Sequence, residues 1–153
     1  MSEAGLDAAA RSLRAWLNGQ RFTDIPRAEA TEFFTTSIRG WAETLGYHCE
    51  LEAPLPPHAL RPDRRGYLDV RLRHRSGKGR GISMEIDRGD KQLSLDKLAQ
   101  AAELGDLCLW LRWGRRPVRL SVPPTVRVIR AHVLRRSTPA GPDRYSLEPD
   151  SCG

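Results

Sequence analysis

Two neighbouring segments decide the predicted fold: Tyr67-Leu-Asp-Val-Arg-Leu-Arg73 and Ile82-Ser-Met-Glu-Ile-Asp87. In both segments apolar and polar residues alternate, which is typical of half-buried β-strands. The short glycine-rich stretch between them favours a tight connection. We therefore predict an antiparallel hairpin centred on Gly77.

The predicted hairpin brings several acidic side chains close together. In the predicted register Asp69 lies opposite Glu85, and directly opposed Cβ atoms are roughly 4.5–5.5 Å apart. Asp87 shares the same polar face, two residues beyond Glu85. Because like charges at this spacing repel, a hard divalent cation such as Mg²⁺ is the simplest way to offset them. The pattern predicts a metal site formed by Asp69, Glu85 and Asp87.

Two alternatives remain open at this point. An exposed strand face often carries acids, and neighbouring arginines at positions 71, 73 and 88 could pair with them. A slip of one residue in the register would also move Asp69 to the other face of the sheet.

The flanking sequence predicts an α/β domain with a mixed sheet. Helices are expected at 6–17, 26–45 and from an N-cap at Ser94 to Gly105, and strands at 47–51, 107–113, 118–122 and 126–134. Residues 53–57 are proline-rich and are predicted to form a loop. We place a single domain at 1–134. The polar segment 135–153 is expected to be a flexible tail.

Composition narrows the class of protein. The chain has 153 residues, no long apolar run, and three cysteines without zinc-ligand spacing. With no basic-then-apolar signal at the N-terminus, this favours a cytoplasmic protein of bacterial type, nucleoid-associated at most, without a membrane partner. Of 25 basic residues only Lys78, Lys91 and Lys97 are lysine; the others are arginine, which suits phosphate. A GC-rich genome could also produce this bias.

Charge is distributed unevenly along the chain. Residues 1–60 carry 5 basic and 8 acidic side chains, residues 61–91 carry 10 and 5, and residues 92–153 carry 10 and 6. Codon usage alone does not explain this segregation. The later two thirds are therefore predicted to present a surface that faces a polyanion.

The order helix, three strands, helix, strand resembles the PD-(D/E)XK nuclease superfamily. The resemblance covers residues 26–113 and is carried by Gly66-Tyr-Leu-Asp-Val70, by Ile82-Ser-Met-Glu-Ile-Asp87 and by the helix segment Ser94-Leu-Asp-Lys-Leu98. It implies a restriction-endonuclease-like αβββαβ core with a mixed central sheet flanked by helices. The N-terminal helix and the C-terminal strands would be additions to that core.

The resemblance also implies roles for individual residues. Asp69 and Glu85 would hold Mg²⁺ or Mn²⁺, and Asp87, which stands where the family usually has lysine, would hold a second ion or orient water. Lys97 would take over the role of the missing lysine in stabilising charge on the phosphate; its alternative is an ordinary exposed helix lysine. Lys91 is expected to lie in a loop.

Further residues of the polar surface have expected roles. Four of them could follow the backbone of a nucleic acid: Arg71, Arg73, Lys78 and Arg80. Glu32 or Glu43 on the second predicted helix could support the metal, although glutamates are common on surface helices.

The leading function is therefore a Mg²⁺-dependent DNA endonuclease. The runner-up is a catalytically inactive module on the same fold that binds nucleic acid or a partner protein, which the replacement of lysine by Asp87 favours. A third class is a regulatory protein whose basic surface meets RNA or an acidic partner. Cutting of both DNA strands by so small a chain would require a homodimer.

Overall fold

The computed structural model describes residues 3–58, 62–63 and 65–153. It contains three helices and eight strands within these residues: α1 (Glu3–Asn18), β1 (Phe22–Pro26), α2 (Arg27–Thr44), β2 (Tyr47–Pro54), β3 (Tyr67–His74), β4 (Ile82–Asp87), α3 (Gln92–Glu103), β5 (Leu107–Trp113), β6 (Val126–Ala131), β7 (Leu134–Thr138) and β8 (Gly141–Leu147). In this part of the chain no helix is long and apolar enough to span a membrane.

A mixed five-stranded sheet forms the centre of the molecule. Its strand order is β2-β3-β4-β5-β6. The first three strands pair antiparallel, whereas β4, β5 and β6 run parallel. Parallel neighbours need a crossover, and α3 supplies it between β4 and β5. The predicted α/β class with a mixed sheet flanked by helices is confirmed.

Apolar side chains form a core on each face of this sheet. On one face, α1 and α2 pack against alternate strand residues such as Val70, Met84 and Leu109. On the other face, Leu98 of α3 packs with Trp110 and other residues of a smaller cluster. Because strand side chains alternate between faces, the residues between those of the first cluster point towards α3.

Several predicted boundaries are wrong. Pro26 ends β1, a strand that the sequence analysis missed, and is the N-cap of α2. Lys91, and not Ser94, is the N-cap of α3; Ser94 lies inside the helix and is buried. Residues 118–122 form no strand, and the predicted strand 126–134 ends at Ala131. Pro54 belongs to β2, which tolerates proline because it is an edge strand.

The prediction of a flexible tail at 135–153 is also wrong. β7 and β8 form a hairpin, and β8 pairs with β1 to give a second sheet of order β1-β8-β7. Tyr145 and Leu147 alternate with polar residues in β8 and are buried in the core that α1 and α2 share. The folded unit therefore extends past residue 134.

Candidate functional site

The β3–β4 register places the two predicted acids together. Arg71 pairs with Ser83 and Val70 with Met84, which is the register predicted from the sequence. Next to these pairs, the backbone N–H of Asp69 donates a hydrogen bond of 2.8 Å to Glu85 Oε2. The alternative register, with Asp69 on the opposite face, is therefore excluded.

Asp69 and Glu85 are held by each other's strand. The N–H of Ile86 donates to Asp69 Oδ2 at 2.8 Å, and the N–H of Asp69 donates to Glu85 as described. Each carboxylate is thus bound to the backbone beside the other one. These two reciprocal bonds fix both side chains. The sheet therefore sets the distance between the two carboxylates.

Lys97 reaches this pair from α3. Its ammonium contacts Glu85 Oε1 and also donates to the carbonyl oxygen of Tyr67 at 2.8 Å. The lysine side chain is 11% exposed and that of Glu85 only 1%. The alternative of an ordinary exposed helix lysine is therefore wrong, and Lys97 points towards the acids as the sequence suggested. It lies in the second turn of the helix, because α3 begins earlier than predicted.

The electrostatics of Glu85 are dominated by its burial. Removal from solvent raises the pKa of this carboxyl group, and the nearby Asp69 carboxylate raises it further. The Lys97 ammonium and the Asp69 N–H act in the opposite direction. The outcome is a pKa of about 8. A cation that used Glu85 as a ligand would therefore have to displace a proton near neutral pH.

The raised pKa predicts a specific pH dependence of stability. Unfolded Glu85 would titrate near 4.5, so between that pH and about 8 the folded state keeps a proton that the unfolded state has lost. The stability contributed by this proton is complete below pH 4.5 and disappears as pH rises through 8. In metal-free buffer, the Tm of the wild type should fall over this interval relative to that of Glu85→Gln, which carries no titrating group there. Parallel Tm curves for the two proteins between pH 5 and 9 would contradict the assignment.

Asp87 has a different partner. Trp110 on β5 donates its indole N–H to Asp87 Oδ2 at 2.9 Å. Within the described ranges, no group of three or more His, Cys, Asp or Glu side chains is arranged to hold a metal ion. The structure thus brings together Asp69, Glu85 and Lys97, and gives Asp87 a bond to the neighbouring strand.

The donor set of the acidic pair fits a hard cation. Two carboxylates, one of them half-buried, can supply oxygen ligands to Mg²⁺ while water fills the other positions. Lys97 already occupies one side of Glu85, so a cation that binds there would have to share or displace this contact. Asp69 is the more accessible ligand of the two.

The two glutamates on α2 lie away from this pair. Glu32 and Glu43 are exposed, and α2 packs in the core that contains Val70 and Met84. Along β3 and β4, Val70 and Met84 alternate with Asp69 and Glu85. The two acids therefore lie on the face of the sheet that is opposite to α2. Support of the metal by either glutamate is not borne out by this geometry.

The predicted nucleic-acid contacts separate into two groups. Arg71 forms an ion pair of 3.1 Å with Asp106, whose carboxylate also accepts a hydrogen bond from Ser83. Arg80 donates to the carbonyl oxygen of Gly105 at 2.7 Å. Both arginines thus bind the turn between α3 and β5. Arg73 and Lys78, in contrast, are exposed, and Lys78 lies in the hairpin connection.

Asp106 was missed in the sequence analysis. It is 5% exposed and joins Arg71 of β3 to Ser83 of β4, so it connects the start of β5 to the hairpin. The local signal was weak: an acid after the glycine that ends a helix is an ordinary surface pattern. The glycine at position 81 is a second indication that Asp106 packs here, because a Cβ at this position would lie 3.0 Å from Asp106 Oδ1.

Comparisons of the chain with family models, with curated proteins and with solved structures give no match. The geometry of Asp69, Glu85 and Lys97 is therefore the observation that bears on function.

Proposed function

We propose that this protein is a Mg²⁺-dependent DNA endonuclease with a restriction-endonuclease-like core. The observation that carries the proposal is the convergence of the Lys97 ammonium on the Asp69–Glu85 pair. A pair of carboxylates beside one ammonium combines ligands for a cation with a charge that can stabilise a phosphate. This combination suits hydrolysis of a phosphodiester.

The order of the secondary structure supports the same proposal. A helix, three strands, a helix and a fourth strand follow one another as α2-β2-β3-β4-α3-β5. Asp69 lies on the second of these strands and Glu85 on the third, as the resemblance to the nuclease superfamily requires. The lysine comes from the following helix instead of from the strand position occupied by Asp87.

Each residue has a role in the proposed reaction. Asp69 and Glu85 would hold the cation, and a bound Mg²⁺ would polarise the scissile phosphate and lower the pKa of a coordinated water. Lys97 would place its ammonium against the charge that develops on the phosphate oxygens. Arg73 and Lys78 would contact neighbouring backbone phosphates and add affinity without choice of sequence. A cytoplasmic location, and a homodimer for double-strand cutting, belong to the proposal.

The test combines metal binding with cleavage. Mg²⁺ or Mn²⁺ should raise the Tm of the wild type by binding the folded state, and DNA should be nicked or degraded only when the metal is present. Glu85→Gln should abolish both effects, since it removes a charged ligand. Glu148→Gln, which removes an exposed carboxylate elsewhere, should leave both unchanged. Absence of a metal-dependent shift in the wild type at pH 9, where Glu85 is ionised, would refute the metal site.

A second candidate is an inactive module of the same fold that binds nucleic acid. It is favoured by the bonds already made at Glu85, because one oxygen accepts from Lys97 and the other from the Asp69 N–H. A Glu85 carboxylate that is already bonded in this way needs no cation to offset its charge. This protein would bind DNA or RNA with a steep dependence on salt and leave it intact in Mg²⁺ and Mn²⁺. Failure to bind either nucleic acid at low salt would instead favour a module for a partner protein.

A further inference from the structure

A second charged feature lies at the carboxyl ends of β4 and β5, outside the site described above. It is a cavity of about 410 Å³ whose lining includes Arg88, Arg115, Arg116, Arg135 and Tyr145. Val133, which also lines the cavity, belongs like Tyr145 to the core on the α1 and α2 side. The cavity therefore opens away from the α3 side, where Lys97 contacts Glu85.

Little negative charge in the described residues balances these arginines. No carboxylate lies within 4.0 Å of the side-chain nitrogens of Arg88, Arg115 or Arg116 in this part of the chain, and Arg135 has a long contact of 3.7 Å with Asp143. Four guanidinium groups around one cavity repel one another. An anion bound between them would offset this repulsion.

The cavity has a rigid frame. Arg88 Nη1 lies 3.4 Å from the hydroxyl oxygen of Tyr145, which is itself 5% exposed and packs edge-to-face on Trp113. Gly114 has a φ of 115°, and a Cβ at this position would lie 3.0 Å from the carbonyl oxygen of Arg88. The glycine thus allows the ends of β4 and β5 to approach each other. The Arg88 side of the cavity is therefore positioned before a ligand binds, which reduces the entropy lost on binding.

We propose that this cavity binds a phosphate monoester, carried by a nucleotide or by the end of a polynucleotide. Guanidinium groups match phosphate in charge and geometry and bind it with paired N–H donors. The volume is in the range of ligand sites and exceeds what a single ion needs. The inference does not rest on the proposed nuclease, because it involves neither the acidic pair nor a metal.

The test measures binding by calorimetry in EDTA, so that metal chemistry at the other site has no influence. Adenosine 5′-monophosphate should bind at least about ten times more tightly than adenosine, because charge-assisted hydrogen bonds supply the difference. The double variant Arg115→Gln/Arg116→Gln should reduce its affinity at least about tenfold. Arg11→Gln/Arg21→Gln loses the same two charges at exposed positions outside the cavity and should change the affinity less than twofold.

Further measurements distinguish a specific phosphate site from nonspecific electrostatic attraction between arginines and anions. Arg88→Lys keeps the charge but loses the planar fork, so it should still weaken binding. Tighter binding of a 5′-phosphorylated oligonucleotide than of both adenosine 5′-monophosphate and the same oligonucleotide without its 5′-phosphate would identify a polynucleotide end as the source of the phosphate. Equal affinities of the two oligonucleotides would identify a free nucleotide. Equal affinities for the nucleotide and adenosine, or equal losses in the two double variants, would overturn the proposal.

Discussion

Replacing Lys97 with methionine is expected to lower the rate of Mg²⁺-dependent DNA cleavage by at least about 100-fold, the usual effect of deleting one charge-stabilising donor. The ammonium is held against Glu85 and the carbonyl of Tyr67 and is largely buried, so no water can take over its function readily. The rise in Tm caused by Mn²⁺ should persist, since the cation replaces the charge that the lysine supplied.

The control for this variant lies at the N-cap of the same helix. Lys91→Met removes the same charge from an exposed lysine and should leave the cleavage rate within about twofold of wild type. Lys97→Arg should retain part of the activity because it keeps the charge. Unchanged cleavage in a folded Lys97→Met protein, checked by circular dichroism, would mean that the lysine only neutralises Glu85.

Replacing Asp69 with asparagine is expected to abolish the metal-induced rise in Tm and to lower cleavage by at least about 100-fold. Loss of residues that merely support metal ligands commonly costs 10- to 100-fold, so loss of a ligand charge should cost no less. The asparagine carbonyl can still accept the N–H of Ile86. Without metal at pH 9, where Glu85 is ionised, the Tm should equal or exceed that of the wild type, because the repulsion between Asp69 and Glu85 is gone.

Asp96 offers a matched control for this substitution. It lies exposed on α3 and accepts a hydrogen bond from Gln92, which an asparagine can also accept. Asp96→Asn should change neither the metal response nor cleavage. A large fall in the Tm of metal-free Asp69→Asn would show that the carboxylate stabilises the fold, and a retained Mn²⁺ response would place the cation elsewhere.

The acidic hairpin could be predicted because the residues that determine its register lie close together in sequence. Alternating residues and a short connection fix which face each side chain takes and therefore place Asp69 next to Glu85. Helical geometry allowed Lys97 to reach the pair, but only the packing of α3 against the sheet decides between this position and solvent. The bond between Asp87 and Trp110 had no local signal, since it depends on the parallel register that the α3 crossover sets.

The second sheet was missed for a related reason. β1 is short and ends in a proline, and β7 is exposed along most of its length, so neither shows the apolar alternation of a buried strand. The partner of β1, the strand β8, is distant in sequence. In β8 the signal is limited to Tyr145 and Leu147, which a composition rich in glycine, proline and charge concealed.

The pairing of β1 with β8 has a consequence for how the molecule assembles. The N–H of Asp24 donates to the hydroxyl of Ser146, a bond between residues 122 positions apart. Bringing such remote segments together costs more chain entropy than closing the β3–β4 hairpin, so this contact is expected to form late in folding. During synthesis on the ribosome, β1 therefore stays without its partner strand until β8 has emerged.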